Sequence, residues 1–271
     1  MIARPRLPTS LLFIFLSAIV FSAPVEAQMR GKMGERAAPS AERREGDFKA
    51  TGLTPAFPAD QACEPISSGF ASPYRYDGSR RPTDRNGGLH GGTDITLKVG
   101  TPLLAIAGGK VIAKGAGGQM EGNFLWLQHA PEHTGFPFWV HTKYQHLAEV
   151  PALNIGDSVQ VGQTIALAGG TGTAGGHYGA AGYPHLHLTT HFGPSSEFEL
   201  VGAYSSMVRA RDAKNSDFLL LFLSGDADRV APESLLGEGK QVPIAIVGED
   251  GSVRPVGSKV VWPVACRARG N

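Results

Sequence analysis

Residues 183–192 read YPHLHLTTHF, and this stretch decides the fold expected for the chain. Apolar residues alternate with polar ones along it, as in a β-strand with one buried face. Successive side chains of a strand point to opposite faces, so His185 and His187 project side by side from one surface. Two neighbouring imidazoles can bind a metal ion or act together in acid–base chemistry. The segment is therefore both a strand and a candidate site.

Short apolar stretches of this kind, separated by glycine turns, fill the chain from residue 63 onward. Examples are TPLLAIAGG (101–109), NFLWLQH (123–129) and SVQVGQTIALAGG (158–170). Before residue 198, no segment shows a long 3.6-residue period, which argues against helices. The pattern predicts an all-β protein with an antiparallel β-sheet core.

The composition excludes several classes of protein. Hydrophobic residues make up 42% of the 271 residues, enough for a core, so global disorder is excluded. The 25 Lys and Arg nearly balance the 24 Asp and Glu, which removes any general electrostatic case for binding nucleic acid. We therefore expect no nucleic-acid partner.

The first 27 residues are predicted to be a secretory signal peptide. Arg4 and Arg6 precede an apolar run at 11–21, and small residues lead up to a cleavage site after Ala27. A run of this length falls well short of the roughly 20 residues that span a bilayer, so no transmembrane anchor is expected. The prediction is an exported protein, periplasmic or extracellular.

The rest of the chain divides into three parts that differ in amino-acid composition and pattern. Residues 28–62 are polar, charged and rich in proline, which is typical of a flexible linker. Residues 63–197 carry the strands and the histidine motifs and are predicted to form the main domain. Residues 198–271 contain further apolar stretches but no chemical motif, and we interpret them as a C-terminal β-rich extension.

Within this extension, the runs SDFLLLFLSG (216–225), VPIAIVG (242–248) and KVVWPVAC (259–266) are predicted to be strands. Glu249–Gly251 (EDG) predicts the turn of a hairpin. The extension either packs on the main sheet or forms a small separate unit, and the pattern does not decide between these arrangements.

Two cysteines, Cys63 and Cys266, stand near the start of the strand-rich region and near the end of the chain. Export would place them where disulfides persist, and an exported pair with no third cysteine usually bonds. A Cys63–Cys266 disulfide is the favoured prediction, with two free buried thiols as the alternative.

A second motif, HGGTD at His90–Asp94, places a histidine four residues before an aspartate. Its two glycines argue against a helix, so the pair would converge through a turn that enters a strand at Asp94. Catalytic zinc commonly has three protein ligands from His and acidic residues, with water in the fourth position. His90, Asp94 and one of His185 and His187 would make such a site. An isolated histidine is more often structural, so the prediction depends on both motifs.

His129 and His133 have a spacing that resembles a helical zinc motif. Pro131 between them makes a continuous helix unfavourable, and 131–135 is interpreted as a hairpin turn. No metal site is predicted there.

Four motifs occur in one order: His90/Asp94, then Tyr144–Leu147 (YQHL), then VQVGQTI at 159–165 with a glycine-rich loop, then Pro184–His187 (PHLH). Because they carry these motifs in this order, residues 66–192 resemble the LytM/lysostaphin-type zinc metallopeptidases, which cut peptides of bacterial peptidoglycan. The resemblance implies a lysostaphin/LytM-like, duplicated-hybrid-motif fold with long loops that form a cleft.

Position by position, the resemblance implies that His90, Asp94 and His187 hold one Zn²⁺ ion and that His146 and His185 are catalytic residues without being ligands. It does not say which of these two is the base and which the electrophile. The implied function is an exported zinc endopeptidase that hydrolyses peptidoglycan peptides through metal-activated water. The alternative is a non-catalytic cell-wall-binding or amidase-regulating module. The presence of all five residues favours the enzyme.

The sequence departs from this family in its loops. Residues 130–145 are longer than the usual turn, and GGHYGAAGY (175–183) extends the loop before PHLH. In place of an aromatic and an acidic residue, Leu188 and Thr189 follow the motif. We expect both loops to border the cleft and to affect substrate preference.

Overall fold

A computed structural model describes residues 49–223 and 240–270. The predicted signal peptide and the linker up to residue 48 lie outside these residues. In the described part of the chain, no helix has the length and apolar character needed to cross a membrane.

The described residues form short strands joined by turns, as the alternating stretches predict. The strands are β1 (Leu53–Ala56), β2 (Gln61–Ala62), β3 (Thr93–Thr96), β4 (Pro102–Leu104), β5 (Gly109–Ala116), β6 (Asn123–His129), β7 (Trp139–Leu147), β8 (Ser158–Val159), β9 (Thr164–Leu167), β10 (His185–Gly193), β11 (Phe198–Val201), β12 (Met207–Ala210), β13 (Lys214–Ser216), β14 (Lys240–Pro243), β15 (Ile246–Val247), β16 (Val253–Arg254) and β17 (Arg267–Ala268). The helices are one α-helix, α1 (Pro131–Thr134), and the 3₁₀ helices Asn86–Gly88, Gly176–Tyr178, Ala203–Ser205 and Phe218–Phe222.

The main sheet confirms the predicted all-β, antiparallel architecture. It contains seven of the described strands, in the order β13-β10-β7-β6-β5-β8, with β3 as a second partner of β10. Every pairing within this sheet is antiparallel. Strand β10, which contains the HLH motif, pairs with β7 along one edge and with β3 and β13 along the other. The strand that suggested the fold therefore lies inside the sheet.

The two faces of β10 have different surroundings. Leu186 and Leu188 point into the hydrophobic core, where both are fully buried. That core also contains the 3₁₀ helix Phe218–Phe222 and Trp262. His185 and His187 point to the opposite face, as the period of two requires. The apolar side chains on one face of β10 anchor the strand in the core, and the histidines on the other face form the site.

The linker prediction for 28–62 is wrong at its C-terminal end. Strand β1 pairs in parallel with β14, and β2 pairs with β17. Leu53 is buried, and Phe57 packs edge-on against Trp262 with ring centroids 4.9 Å apart. A few apolar residues within this polar stretch are enough to form strands, because the partner strands β14 and β17 come from the distant C-terminal part of the chain.

The C-terminal extension packs on the main domain. Strand β13 joins the main sheet beside β10, and residues of 242–266 belong to the same core as the sheet. The hairpin predicted at Glu249–Gly251 is confirmed, with β15 and β16 on either side. The disulfide Cys63–Cys266 is present and joins the two ends of the described chain.

Two strand predictions in this extension are wrong. Phe218–Phe222, within the predicted strand 216–225, forms a 3₁₀ helix whose first turn is capped by Asp217, which accepts a hydrogen bond from Leu219 N at 3.0 Å. All five residues of this helix are buried, so their apolar run shows no period that distinguishes helix from strand. Residues 259–266 form only isolated bridges.

The long connection between β6 and β7 does not border the site, contrary to expectation. Residues 130–138, which include α1, join the ends of these strands at the His129–Val140 pair. His146 lies at the other end of β7, six residues beyond Val140, or about 20 Å along an extended strand.

Candidate metal centre

The pairing of β3 with β10 brings two distant motifs together. Asp94 lies directly opposite His187, and Thr96 lies opposite His185. Residues directly opposite each other across a ladder point to the same face, so the carboxylate and the imidazole share the outer face of the sheet. The Oδ1 atom of Asp94 is 2.8 Å from Nδ1 of His187.

His90 approaches from the turn that leads into β3. Its Nε2 lies 3.2 Å from Asp94 Oδ1 and 3.1 Å from His187 Nδ1. This approach depends on Gly92, because a Cβ there would lie 2.7 Å from His187 Nε2 and 2.6 Å from Leu188 O. The glycine of the HGGTD motif therefore allows the turn to pass directly over the His187 ring.

These three atoms form a triangle with sides of 2.8, 3.1 and 3.2 Å. Ligands at the usual 2.0–2.2 Å around a tetrahedral zinc ion are about 3.3 Å apart, close to these sides. Two nitrogens and one carboxylate oxygen are also the donor types that zinc prefers. In the described residues, His90, Asp94 and His187 are the single group of this kind with converging donor atoms. The donor set fits a zinc ion.

The second nitrogen of each of these imidazoles is engaged by the protein. His90 Nδ1 donates to Gly69 O at 3.0 Å, and His187 Nε2 lies 3.1 Å from Thr189 Oγ1. Both partners fix the ring orientation, and the bond to Gly69 O also holds the proton of the neutral His90 ring on Nδ1, which leaves Nε2 as the metal-ligating nitrogen. Backbone and side chain together thus orient the rings toward one point.

The other oxygen of Asp94 faces Arg81, which the sequence did not suggest as a site residue. Arg81 Nη2 donates to Asp94 Oδ2 at 3.3 Å and to Ser68 Oγ at 2.9 Å. Arg81 therefore occupies one carboxylate oxygen while Oδ1 faces the histidines. It lies in a loop 13 residues before Asp94, and no local pattern marks it.

Burial and charge affect the protonation of this group. Burial alone would raise the pKa of Asp94, but the neighbouring imidazoles of His90, His185 and His187 hold this pKa well below 3.8. Desolvation lowers the pKa of His187 to about 4. An ionised Asp94 beside a neutral His187 ring is the combination that binds a cation.

His146 and His185 lie beside the group, with ring centroids 4.5 Å apart. His146 Nδ1 donates to Thr171 O at 2.8 Å, and His185 Nδ1 donates to Tyr183 O at 2.7 Å. The Nε2 atom of each ring is therefore the one without a proton, and that of His185 lies 3.5 Å from Asp94 Oδ1. Burial lowers the pKa of His146 to about 3. The structure brings all five predicted residues together.

The position of His146 depends on two glycines. Thr171 O, its hydrogen-bond partner, packs against Gly122, where an added Cβ would lie 2.1 Å from that oxygen. A Cβ on Gly172 would lie 2.3 Å from Gly122 N. The glycine-rich loop and the β5–β6 turn thus meet backbone to backbone. His146 itself has a φ of 61°, an unusual conformation of the kind found at functional sites.

Two loops form a wall beside His185. Tyr183 stacks on the His185 ring at 4.5 Å, and Tyr76 stacks on Tyr183 at 3.8 Å. A hydrogen bond from His177 Nε2 to Asp77 Oδ2 (2.9 Å) joins the same two loops. The extended loop 175–183 therefore borders the site as expected.

The histidines of the rejected motif lie elsewhere. His129 is fully buried, with Nδ1 2.7 Å from Gly108 O and Nε2 2.8 Å from Thr142 Oγ1. His133 lies in α1 within the connection far from the site. Neither belongs to the converging group.

Comparison with known proteins finds a family that the segment around the site resembles. Residues 88–196 match the sequence model of Peptidase family M23. The match includes all five residues of the centre. Over this segment, the chain is similar to peptidase family M23.

Relatives of the M23 segment come from several bacteria. The peptidoglycan DD-endopeptidase ShyC of Vibrio cholerae is 38% identical over 98 residues, which are 36% of this chain and 19% of ShyC. The glycyl-glycine endopeptidase ALE-1 of Staphylococcus capitis is 38% identical over 108 residues, 40% of this chain and 26% of ALE-1. The chain thus spans about a fifth to a quarter of these relatives. The catalytic domain of lysostaphin from Staphylococcus simulans aligns over 54% of this chain and 88% of its own, with 26% identity and a TM-score of 0.37.

Proposed function

We propose that the protein is a zinc-dependent endopeptidase that hydrolyses peptide bonds in bacterial peptidoglycan. The observation that carries this proposal is the convergence of His90 Nε2, Asp94 Oδ1 and His187 Nδ1 within 3.2 Å of one another, beside two further imidazoles. These three residues would hold one Zn²⁺ ion, and His146 and His185 would be the catalytic residues.

When bound, zinc polarises the scissile carbonyl and lowers the pKa of its water toward about 7. Hydrolysis also requires that one proton leave the attacking water and that one reach the leaving amine. Both His146 and His185 present an unprotonated Nε2, because Nδ1 of each donates to a backbone carbonyl. Either Nε2 can accept the proton of the water, and as an imidazolium it can return it to the amine or stabilise the oxyanion.

The arrangement favours an enzyme over a non-catalytic wall-binding module. A module that only binds needs no pair of imidazoles held beside a metal site. Here each of the two rings is held by its own backbone carbonyl, and His146 keeps an unusual φ of 61°. Such local strain is maintained where function requires it.

The family supports a peptidase, and the names of the relatives suggest the substrate class. ShyC is named for DD-endopeptidase activity on peptidoglycan and ALE-1 for glycyl-glycine cleavage. We propose peptidoglycan peptides as the substrate and leave both bond types in the test, since the ligands and the two catalytic histidines act on any peptide carbonyl.

We also propose that the protein is exported to the periplasm or the cell exterior. The Cys63–Cys266 disulfide supports this, because disulfides persist in oxidising compartments and are rare in the cytosol. Its substrate lies outside the inner membrane. Fractionation of cells that express the full chain should place the protein outside the cytoplasm with its N-terminal segment removed. Retention in the cytoplasm with reduced thiols would contradict export.

The proposal predicts zinc-dependent release of peptides from sacculi. The purified protein should contain one zinc ion per chain, and mass spectrometry of digested sacculi should show cleaved crosslinks, which identifies the bond. Chelation should abolish release and added zinc should restore it. A protein that cannot take up zinc, or cleavage that persists in a His187→Ala variant, would overturn the proposal.

A further inference from the structure

A column of three stacked rings stands beside the centre, and its outer ring comes from a loop more than one hundred residues away in sequence. The rings of Tyr76 and Tyr183 are 3.8 Å apart with planes 12° from parallel. The rings of Tyr183 and His185 are 4.5 Å apart with planes 22° from parallel. Tyr183 thus lies between Tyr76 and a catalytic histidine.

We propose that Tyr183 and Tyr76 are positioning residues for His185. They would hold the plane of its imidazole so that Nε2 faces the reacting centre. This inference rests on the proposed peptidase function, because it assigns a task to one of the two catalytic histidines.

The hydrogen bond of His185 fixes only part of its geometry. Nδ1 donates to Tyr183 O at 2.7 Å, which defines the tautomer and one point of the ring. Rotation about this contact would still swing Nε2 away from Asp94 Oδ1, now 3.5 Å distant. Contact with the flat face of Tyr183 removes that freedom. The same residue therefore supplies both restraints, one from its backbone and one from its ring.

Tyr183 is itself held on two sides. Its hydroxyl donates to Ser67 Oγ at 3.1 Å and also contacts the hydroxyl of Thr96, which lies opposite His185 in the β3–β10 ladder. The residue is only 7% exposed, and Tyr76 covers the outer side of its ring. A side chain restrained at both its tip and its face is a rigid support.

Tyr76 closes the column from outside. It remains 44% exposed, so little of the fold depends on it. Its loop is joined to the Tyr183 loop by the hydrogen bond from His177 Nε2 to Asp77 Oδ2 at 2.9 Å and by Ser79 Oγ at 3.3 Å from His177 Nε2. These contacts keep Tyr76 over Tyr183. The long loop 175–183 thus has a positioning task in addition to bordering the site.

The chain offers a matched control. Tyr74 lies two residues before Tyr76 in the same loop and is equally exposed, at 44%. Its ring contacts Arg80, with the guanidinium carbon 5.5 Å from the ring centroid, and it does not belong to the stacked column. Tyr74→Ala and Tyr76→Ala therefore remove the same side chain at two positions of equal exposure.

The decisive experiment compares kinetics on a defined crosslinked muropeptide with nitrogen NMR of the His185 ring in the zinc-loaded protein. Displacing a catalytic group by about 1 Å costs on the order of 100-fold in rate, so Tyr183→Ala should lower kcat by about 10- to 100-fold. KM and zinc content should change little. Tyr183→Phe keeps the ring and should restore most of the rate, whereas Tyr183→Leu should not.

Tyr76→Ala should lower kcat several-fold, and Tyr74→Ala should leave it at the wild-type value. The wild-type protein should show a single Nδ1–H tautomer of His185, and Tyr183→Ala should show mixed or exchanging signals. Equal kcat and equal NMR signals in wild type, Tyr76→Ala and Tyr183→Ala would overturn the inference. So would a Tyr183→Leu variant as active as Tyr183→Phe.

The NMR arm separates this inference from the proposed function. If the zinc-loaded wild-type protein cleaves no peptide, the peptidase proposal fails. A His185 ring that is ordered only when Tyr183 and Tyr76 are present would still establish the positioning role. If Tyr183→Ala fails to fold, the exposed Tyr76 variant and Tyr183→Phe still decide the question.

Discussion

Two regions of the main sheet are rich in histidine and have opposite chemistry. At one end of β7 and β10 lie His146, His185 and His187; at the other lie His129 and His141. In the first region, each ring gives one nitrogen to the protein and keeps the other directed at a shared centre that includes Asp94. In the second, His129 uses both nitrogens, and His141 Nε2 lies 3.0 Å from the Gln128 side chain.

The difference teaches that the number of histidines does not define a metal site. A metal site is defined by one ring nitrogen of each histidine that no other protein group uses, and by a carboxylate toward which these nitrogens point. The second region lacks the carboxylate: no acidic side chain in the described residues joins His129 or His141 in a converging group. Burial lowers the pKa of both His129 and His141 to about 4, so these rings are neutral packing groups.

The largest expected effect contrasts one proposed ligand with one packing histidine. His187→Ala should reduce zinc content to near zero and peptide hydrolysis by about 1000-fold or more, because one of the three proposed ligands is lost. His141→Gln should keep one zinc ion per chain. Elemental analysis and muropeptide release measure both. Equal zinc content in the two variants would contradict the conclusion that one region binds metal and the other only packs.

The second effect concerns stability and pH at the packing end. The unfolded state binds a proton at His129 near pH 6.5, whereas the folded state does so only near pH 4. Stability from this neutral histidine is therefore present above pH 6.5 and is lost as the pH falls below it. The loss reaches about 3 kcal/mol at pH 4. Denaturant unfolding of the zinc-free protein from pH 8 to pH 4 measures it.

His129→Gln is the variant that isolates this contribution. It should be less stable than wild type at pH 7, and the gap should narrow as the pH falls, since the variant has no proton to take up at this position. The same pH dependence in both proteins would show that His129 does not titrate as the structure implies.

The third effect tests the backbone contacts that support His146, one of the two proposed catalytic residues. Gly122→Ala would place a Cβ 2.1 Å from Thr171 O, the acceptor for His146, and should displace that ring. We expect about a 100-fold loss of kcat with zinc retained. Gly156→Ala is the control, since Gly156 also has a positive φ (97°) but faces open space. If both variants lose activity equally, backbone strain and not displacement is the cause.

The smallest effect tests the contact that supports Asp94, one of the proposed metal ligands. Arg81→Met removes the donor to Asp94 Oδ2 and should weaken zinc binding by about tenfold, in the range found for groups that orient ligands. Competition with a chelator of known affinity measures it. Arg75→Met, which alters an arginine that bonds only within its own loop, should leave the affinity unchanged. An unchanged affinity in both would show that the remaining contacts suffice to orient Asp94.

Much of the site was predictable because short-range rules govern it. The period of two places His185 and His187 on one face, and the glycines of HGGTD indicate a turn into a strand. The Asp94–His187 contact was not predictable from those rules, since it depends on the register of β3 against β10, two strands about ninety residues apart. The resemblance to a known family supplied that link.

The elements that were missed share a physical cause. Arg81, Thr171 and Tyr183 act on the site through loops or backbone carbonyls, which leave no periodic pattern in the sequence. Phe218–Phe222 is buried on all sides, and an apolar run without polar positions fits a strand and a helix equally well.

The amino-acid sequence by itself determined which donor atoms are available, which of them share a strand face and where the backbone can turn tightly. These follow from side-chain chemistry and from local φ/ψ preferences, which act over a few residues. The tertiary structure alone decided which nitrogen of each histidine is unused, because that depends on carbonyls such as Gly69 O and Thr171 O that arrive from distant loops. One nitrogen of a histidine ring can act as a ligand or a base only when a hydrogen bond from the other nitrogen fixes the proton there. The packing of distant loops decides which group accepts that hydrogen bond.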